Sequence, residues 1–289
     1  MHYAIPHASV AYMAQQILKS KKISLPYVTT LHGTDITLVG RDPSFEPVIR
    51  FSLNMSNAIT SVSESLMKDT LKTFKIDNKI EVIPNFINIE DYKVSTGQCS
   101  KKHYAPRNEK IMVHVSNFRK VKRVEDVIAV FNKVRAKLKC KLILVGDGPE
   151  RSAMETLARK SKHHSDIISL GRIRSPLDVL CIGDLFLLPS ETESFGLAAL
   201  EAMAMKMPVI STNAGGLPEV NINGKTGFTS NVGDVNEMAS NAIKLLSDDK
   251  LLEKFRQNAF AHAKKFDVSL VLPLYENLYK RLVTKNKKK

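Results

Sequence analysis

Tryptophan is absent from the 289 residues, and the chain holds only three cysteines. No stretch interleaves aromatic residues with Arg and Lys, so a stacking platform for nucleic acid is not expected. No apolar run approaches the roughly 18–20 residues of a bilayer span, which argues against stable membrane insertion. The opening "MHYAIPHASV" has neither a basic stretch nor a sustained apolar core and does not read as a secretory signal. Cys99, Cys140 and Cys181 are odd in number, far apart and without zinc or redox spacing. They are expected as reduced thiols in a cytoplasmic protein. Acidic residues are also short: 29 against 43 basic ones, a net charge of +14. Four of those positives, Lys285, Lys287, Lys288 and Lys289, crowd the last five positions. Such a balance suits anionic partners (nucleic acid, acidic lipid or phosphorylated small molecules), and equally a solubilising tail.

Length favours one large or two ordinary domains at about 150 residues each. Short apolar runs at 111–115, 141–145, 185–188 and 208–211 read as buried strands, with weaker ones at 167–170 and 226–228. Between the first two, Val124, Val127, Ile128, Phe131, Val134 and Leu138 form one helical stripe. Asp234 with Glu237 reads as a capping box. The first 108 residues follow the same grammar more thinly, with strands at 27–30, 58–62 and 79–83 and helices at 9–19, 45–55 and 63–74. Strands alternating with helices argue for parallel sheets covered on both faces. The polar stretch 95–108 reads as a linker. The expected domains are therefore 1–108 and 109–265, with a helix and basic tail at 266–289 returning toward the first. Three strands make a thin sheet with an exposed edge, so an N-terminal portion is expected to be missing.

The segment "PSETESFGLAALE" (189–201) carries the most chemistry. A strand ends, a polar loop follows and a helix begins near Gly196, so unpaired amides and the positive end of a helix dipole are offered to an anion. Glu193 lies in the loop. Glu201 lies inside a nearly all-apolar helix, where an unpaired carboxylate is costly and a hydrogen-bonding ligand is the natural partner.

Glu193 and Glu201, with seven residues between them, and the following "MPVISTNAGGLPEVNINGKTGF" (207–228) resemble the signature of family 4 retaining glycosyltransferases. The resemblance implies an α/β fold of the GT-B type: two Rossmann-like domains with a cleft between them, the first one incomplete here. "HYAIPHA" (2–8), "TLHGTDITLVG" (30–40), "DPSFEP" (42–47) and "VSNFRKVKRVEDV" (115–127) are similar to the branch that moves N-acetylglucosamine from UDP-GlcNAc to L-malate, the first step of bacillithiol biosynthesis. A family member with a lipid or polysaccharide acceptor, docked at an anionic membrane by its basic surface, remains an alternative. So does a UDP-sugar-binding remnant without turnover.

By that resemblance Glu201 holds the ribose hydroxyls, Glu193 the transferred sugar, and the 194–197 stretch (Ser194, Phe195, Gly196, Leu197) faces sugar and diphosphate. Lys122 matches the diphosphate lysine. The usual arginine five positions earlier is Asn117 here, and Arg119 is expected to take its place. On spacing alone Arg119, Lys120, Lys122 and Arg123 read as a solvated basic loop. His32 is expected against the donor sugar, with Asp35 beside it as a loop anchor. Gly146, Arg172 and Ile173 are expected near the nucleotide. Tyr3, Thr34, Arg50 and Asn85 are expected on the acceptor side, where a dicarboxylate needs donors and cations; a solvated role for Arg50 stays open. The resemblance further implies front-face substitution with no covalent intermediate, no side-chain base, no cofactor and no metal, since no Asp-x-Asp pair is present. Relatives of this type suggest a homodimer.

Overall fold

The computed structural model describes residues 1–37, 40, 42–93 and 99–287. Part of the expected linker (95–98), Leu38 and Val39 of the 30–40 motif, and Lys288 and Lys289 lie outside the described residues. The chain forms two compact units: Met1–Phe86 with Val268–Lys289, and Ile87–Asp267.

In the first unit β1 (Val28–Leu31), β2 (Ala58–Ser61) and β3 (Ile80–Val82) form a parallel sheet in that order. The Val-Thr-Thr-Leu run of β1 is buried throughout, as parallel strands covered on both faces are. Beside β1, His2 makes a parallel bridge to Thr30, so the thin sheet gains a partner at that edge. The helix Glu64–Thr73 starts where Ser63 accepts a hydrogen bond from the Leu66 amide, a capping arrangement typical of serine. The last helix, Val268–Lys287, buries Val271 and Leu278 against Val28 and Ile83, and Arg281 pairs with Glu81 at 2.6 Å. Among the described residues no helix is long and apolar enough to cross a membrane.

In the second unit six parallel strands follow the order β6-β5-β4-β7-β8-β9. They are β4 (Lys110–Val115), β5 (Cys140–Val145), β6 (Ile167–Gly171), β7 (Leu185–Leu188), β8 (Val209–Thr212) and β9 (Gly227–Ser230). This is the doubly wound order in which the chain starts in the middle, builds one half outward, and returns to build the other. The reversal falls between β4 and β7, the position at which open α/β sheets of this kind generally bind ligands. The helix Val124–Arg135 buries Val124, Val127, Ile128, Phe131 and Val134 against that sheet, with Leu138 packed against the same core. Asp234 caps the helix Val235–Ser247 through the Glu237 amide at 2.9 Å.

Two sequence expectations require correction. The first break in the chain lies at 86/87, not 108. Residues 87–93 and 99–108 belong to the second unit because Ile87 bridges Asp267, and Lys101 reaches Asp184 at 2.6 Å. The expected linker contains a short helix, Lys101–Tyr104. Second, Cys99 and Cys181 are joined in a disulfide across 82 positions, and only Cys140 is free and buried. Long-range pairing of this kind leaves no trace in spacing. Asp184 anchors the same corner: it is 3% exposed and accepts from Lys101, Arg256 (2.5 Å) and the Ile111 amide (2.8 Å). A buried carboxylate without those donors would cost several kcal/mol, on the order of 3–5.

Candidate active site

Three loops are laced together at the carboxyl edge of the second sheet. The loop after β4 ends in a 3-10 turn, Lys120–Lys122, and Arg123 follows it in the left-handed region (φ 47°), its guanidinium tied to Asp126 at 2.6 Å. That turn delivers Lys122, whose Nζ lies 2.5 Å from Glu193 Oε1 on the loop after β7. Both side chains are largely buried, so the pair is weakly screened by solvent. Ser190 donates to the same Glu193 oxygen at 2.8 Å, and the Glu191 amide donates to the Val121 carbonyl at 2.8 Å. The loop after β8 closes the arrangement, with the Gly216 amide donating to the Glu193 carbonyl at 2.8 Å. A Cβ at Gly215 (φ +59°) would sit 2.0 Å from that carbonyl, and one at Gly216 would sit 2.4 Å from the Ser194 carbonyl. Only glycine allows the two loops to approach so closely.

Gly196, at φ +101°, caps the helix Leu197–Ala204; the Ala199 and Leu200 amides bond its carbonyl, and among the described residues no acceptor pairs with the Leu197 and Ala198 amides, the kind of helix start that can receive an anion. One and a half turns on, Glu201 is partly buried in an otherwise apolar helix. Burial raises its pKa, and a hydrogen bond from the Tyr92 hydroxyl pulls it partly back. Tyr92 ends the 3-10 turn Ile89–Tyr92; its own hydroxyl is pushed up by burial and by the Glu201 charge beside it.

Next to Lys122, His114 on β4 is fully buried. Its Nδ1 lies 2.8 Å from the Leu187 carbonyl and its Nε2 2.8 Å from Ser116 Oγ. A carbonyl only accepts, so Nδ1 carries the proton and Nε2 accepts from Ser116. Burial, with Lys122 nearby, pushes the imidazole down to about 4 and keeps it neutral at pH 7. Ser116, Asn117, Gly146, Asp147, Gly148 and Arg172 line a cleft of about 590 Å³ over the ends of β4, β5 and β6.

Two family patterns match in tandem: "Glycosyltransferase Family 4" over residues 1–91 and "Glycosyl transferases group 1" over residues 97–262. The chain belongs to the group 1 glycosyl transferases. It is 41% identical over 284 residues to the N-acetyl-alpha-D-glucosaminyl L-malate synthase of Bacillus anthracis, covering 96% of this chain and 73% of that protein. Its fold matches that of Anabaena HepE, solved in complex with UDP and glucose, with a TM-score of 0.81 at 21% identity over 94% of this chain and 74% of that one. The sucrose-phosphate synthase of Thermosynechococcus elongatus matches with a TM-score of 0.84 at 20% identity, over 98% and 73%. These likenesses establish the GT-B fold for this glycosyl transferase.

Within the group 1 transferase the structure gathers Lys122, Glu193, Ser194, Gly196, Leu197 and Glu201 on the adjoining loops and helix of the second unit. Phe195 is 2% exposed, its ring edge-on to Phe266, so only its backbone is available there. Arg119 is exposed at the start of the 3-10 turn, and among the described residues no carboxylate pairs with it. Gly146 and Arg172 line the cleft, with Ile173 half-buried beside it.

The remaining expected residues of the transferase lie on the first unit. His32 follows β1, with Nε2 2.8 Å from His2 Nδ1 and the Tyr3 ring 5.2 Å away between centroids. Burial, with His2 beside it, pushes His32 down to about 4, so its neutral ring can donate to or accept from a hydroxyl. Asp35 anchors the loop by accepting from the Ala4 amide at 2.6 Å and the Gly33 amide at 3.2 Å. Thr34 is exposed at the start of the turn Thr34–Thr37. Arg50 is exposed on the helix Glu46–Met55, 3.5 Å from Glu46, and nothing ties it to Tyr3 or Thr34. Asn85 is half-buried after β3. Tyr92 and His114 escaped sequence reasoning. Tyr92 sits in a polar stretch without periodicity; His114 had a signal, an imidazole inside an apolar strand that must find polar partners. Among the described residues no group of three or more His, Cys, Asp or Glu side chains converges to hold a metal.

Proposed function

We propose that the chain is a UDP-sugar-dependent retaining glycosyltransferase that moves N-acetylglucosamine from UDP-GlcNAc to L-malate, the first step of bacillithiol biosynthesis. The observation that carries the reading is the Lys122–Glu193 pair, set beside the amino end of Leu197–Ala204 where the strand order reverses. Cleaving the anomeric bond leaves negative charge on the diphosphate and positive character on the sugar. A fixed cation and unpaired amides meet the first, and preorganised donors of this sort are a large source of rate. Glu193 then takes sugar hydroxyls, and Glu201 takes the ribose hydroxyls.

The acceptor half of the reading draws on 41% identity to the Bacillus anthracis synthase. It assigns His32 to the transferred sugar, and Tyr3, Thr34, Arg50 and Asn85 to the dicarboxylate. Arg119 joins Lys122 at the diphosphate. The leaving diphosphate accepts the acceptor's proton, so no side-chain base, covalent intermediate, cofactor or metal is needed. We place the enzyme in the cytoplasm, where nucleotide sugars are made, as a homodimer.

The test is to incubate the chain with UDP-GlcNAc and L-malate, follow UDP release, and read the anomeric configuration of the product by NMR. UDP release that depends on malate, with an α-linked product, is expected. UDP binding without malate-dependent release would overturn the acceptor assignment, and no UDP binding would overturn the donor assignment.

A further inference from the structure

We infer that Cys99 and Cys181 form a reversible dithiol–disulfide couple, a modification site for thiol reductants that fastens the strap at 99–104 to the second unit. Both cysteines are partly exposed and line two cavities, of about 430 and 390 Å³, that meet at the bond. A small thiol can therefore reach the sulfurs in the folded protein. Cys140 is the internal contrast: buried on β5, with its thiol pushed up to about 12 by desolvation, it is inert.

The surroundings favour exchange. Lys206 lines the same walls and, among the described residues, pairs with no carboxylate, so it can stabilise a thiolate on which exchange depends; Lys101 and Arg256 also line them but are held by Asp184, with Glu253 beside Arg256. In the forward step an external thiolate attacks one of the two sulfurs, the Cys99–Cys181 bond breaks, and the other sulfur leaves as a thiolate beside those cations. A second external thiol then resolves the mixed disulfide. The products are two protein thiols and one oxidised reductant.

The corner does not depend on the covalent bond for its shape. Lys101 and Arg256 both hold Asp184, three positions from Cys181, and the Ile111 amide holds it too. Reduction thus removes a tether while the ionic contacts keep the strap docked. A disulfide in a reducing compartment is in general transient or redox-sensing, and this arrangement reconciles the bond with a cytoplasmic enzyme. The larger cavity is also lined by Tyr92, the residue that donates to Glu201. The state of the bond therefore alters the wall against which Tyr92 rests and, on the nucleotide reading proposed above, the grip on the donor.

The experiment uses the full chain, equilibrated natively in buffers spanning reduced to oxidised glutathione, then quenched, alkylated and mapped by mass spectrometry. The expected result is interconversion of a Cys99–Cys181 cross-linked peptide and two alkylated peptides, with Cys140 unmodified before denaturation. The reduced form should still melt cooperatively, with Tm lower by roughly 10 °C for a loop of this length. Calorimetric titration near pH 5.5, where loss of the Tyr92 contact is felt, should show UDP bound roughly twofold more weakly by the reduced form and by Cys99→Ser, a fraction of one hydrogen bond. Thiols that stay free at every glutathione ratio, a bond that yields only after denaturation, or equal UDP affinity in both forms would overturn the proposal. If neither form binds UDP, the nucleotide reading is what fails, while alkylation and melting still decide the couple.

Discussion

Lys122 and Glu193 hold each other at 2.5 Å across the point where the sheet reverses its strand order. The cation that is to meet the diphosphate is thus already engaged by the carboxylate that is to meet the sugar. On the proposed roles the two are expected to exchange partners when a donor binds, and neither is left uncompensated in the free chain, where a lone buried charge would be costly.

Substitution should separate their roles. Lys122→Ala is expected to lower kcat/KM by about 10²–10³ and to weaken UDP by about tenfold, as loss of a transition-state donor does. Glu193→Gln frees the lysine, so UDP should bind at least as tightly as before while turnover falls. Equal weakening of UDP by both variants would refute the exchange.

Tyr92 offers a test that depends on pH. Burial raises the pKa of Glu201 and the Tyr92 hydrogen bond opposes that rise. In Tyr92→Phe the carboxyl therefore titrates higher, and the ionised form that is proposed to accept ribose hydroxyls is lost earlier as pH falls. UDP affinity should be nearly unchanged at pH 8 and should fall increasingly below that of the unsubstituted chain as the pH is lowered toward 5.5. A loss of the same size at both pH values would mean the tyrosine acts through packing alone.

His114 should appear in acid stability. Its imidazole titrates at about 4 in the folded chain against 6.5 in the unfolded one. The unfolded chain therefore binds the extra proton between those values, and stability falls as pH drops through that window. The loss from this residue is about 3 kcal/mol, complete below the folded pKa. Urea unfolding between pH 7 and 4 should show it, and His114→Gln should flatten that part of the curve.

Gly215→Ala forces a methyl to 2.0 Å from the Glu193 carbonyl in a left-handed backbone. We expect a loss of about 2–4 kcal/mol in unfolding free energy, with weaker UDP binding in the protein that still folds. Wild-type stability would contradict the close fit of the two loops.

Legibility of the fold in the sequence followed burial. The runs 111–115, 141–145, 185–188 and 208–211 become central strands, because a parallel strand covered on both faces leaves a nearly continuous apolar signature. Glu201 was legible for the same reason, as a charge out of place in an apolar helix. What escaped was long-range pairing. Tyr92 meets Glu201 and Cys99 meets Cys181 through tertiary structure, and neither partner carries a local pattern that names the other. The boundary at 86/87 escaped likewise: polarity at 95–108 signalled a break, whereas the contacts of Ile87 and Lys101 decide to which body those residues belong.

The close contact of Gly215 and Gly216 with residues 193–194 reaches into how such enzymes can diversify. Those glycines press on main-chain carbonyls and leave the neighbouring side chains alone, so the course of the glutamate loop is moulded from outside. A change of side chain at 193 or 194 can therefore leave the path of this main chain intact, although at 193 it also releases Lys122 from its partner.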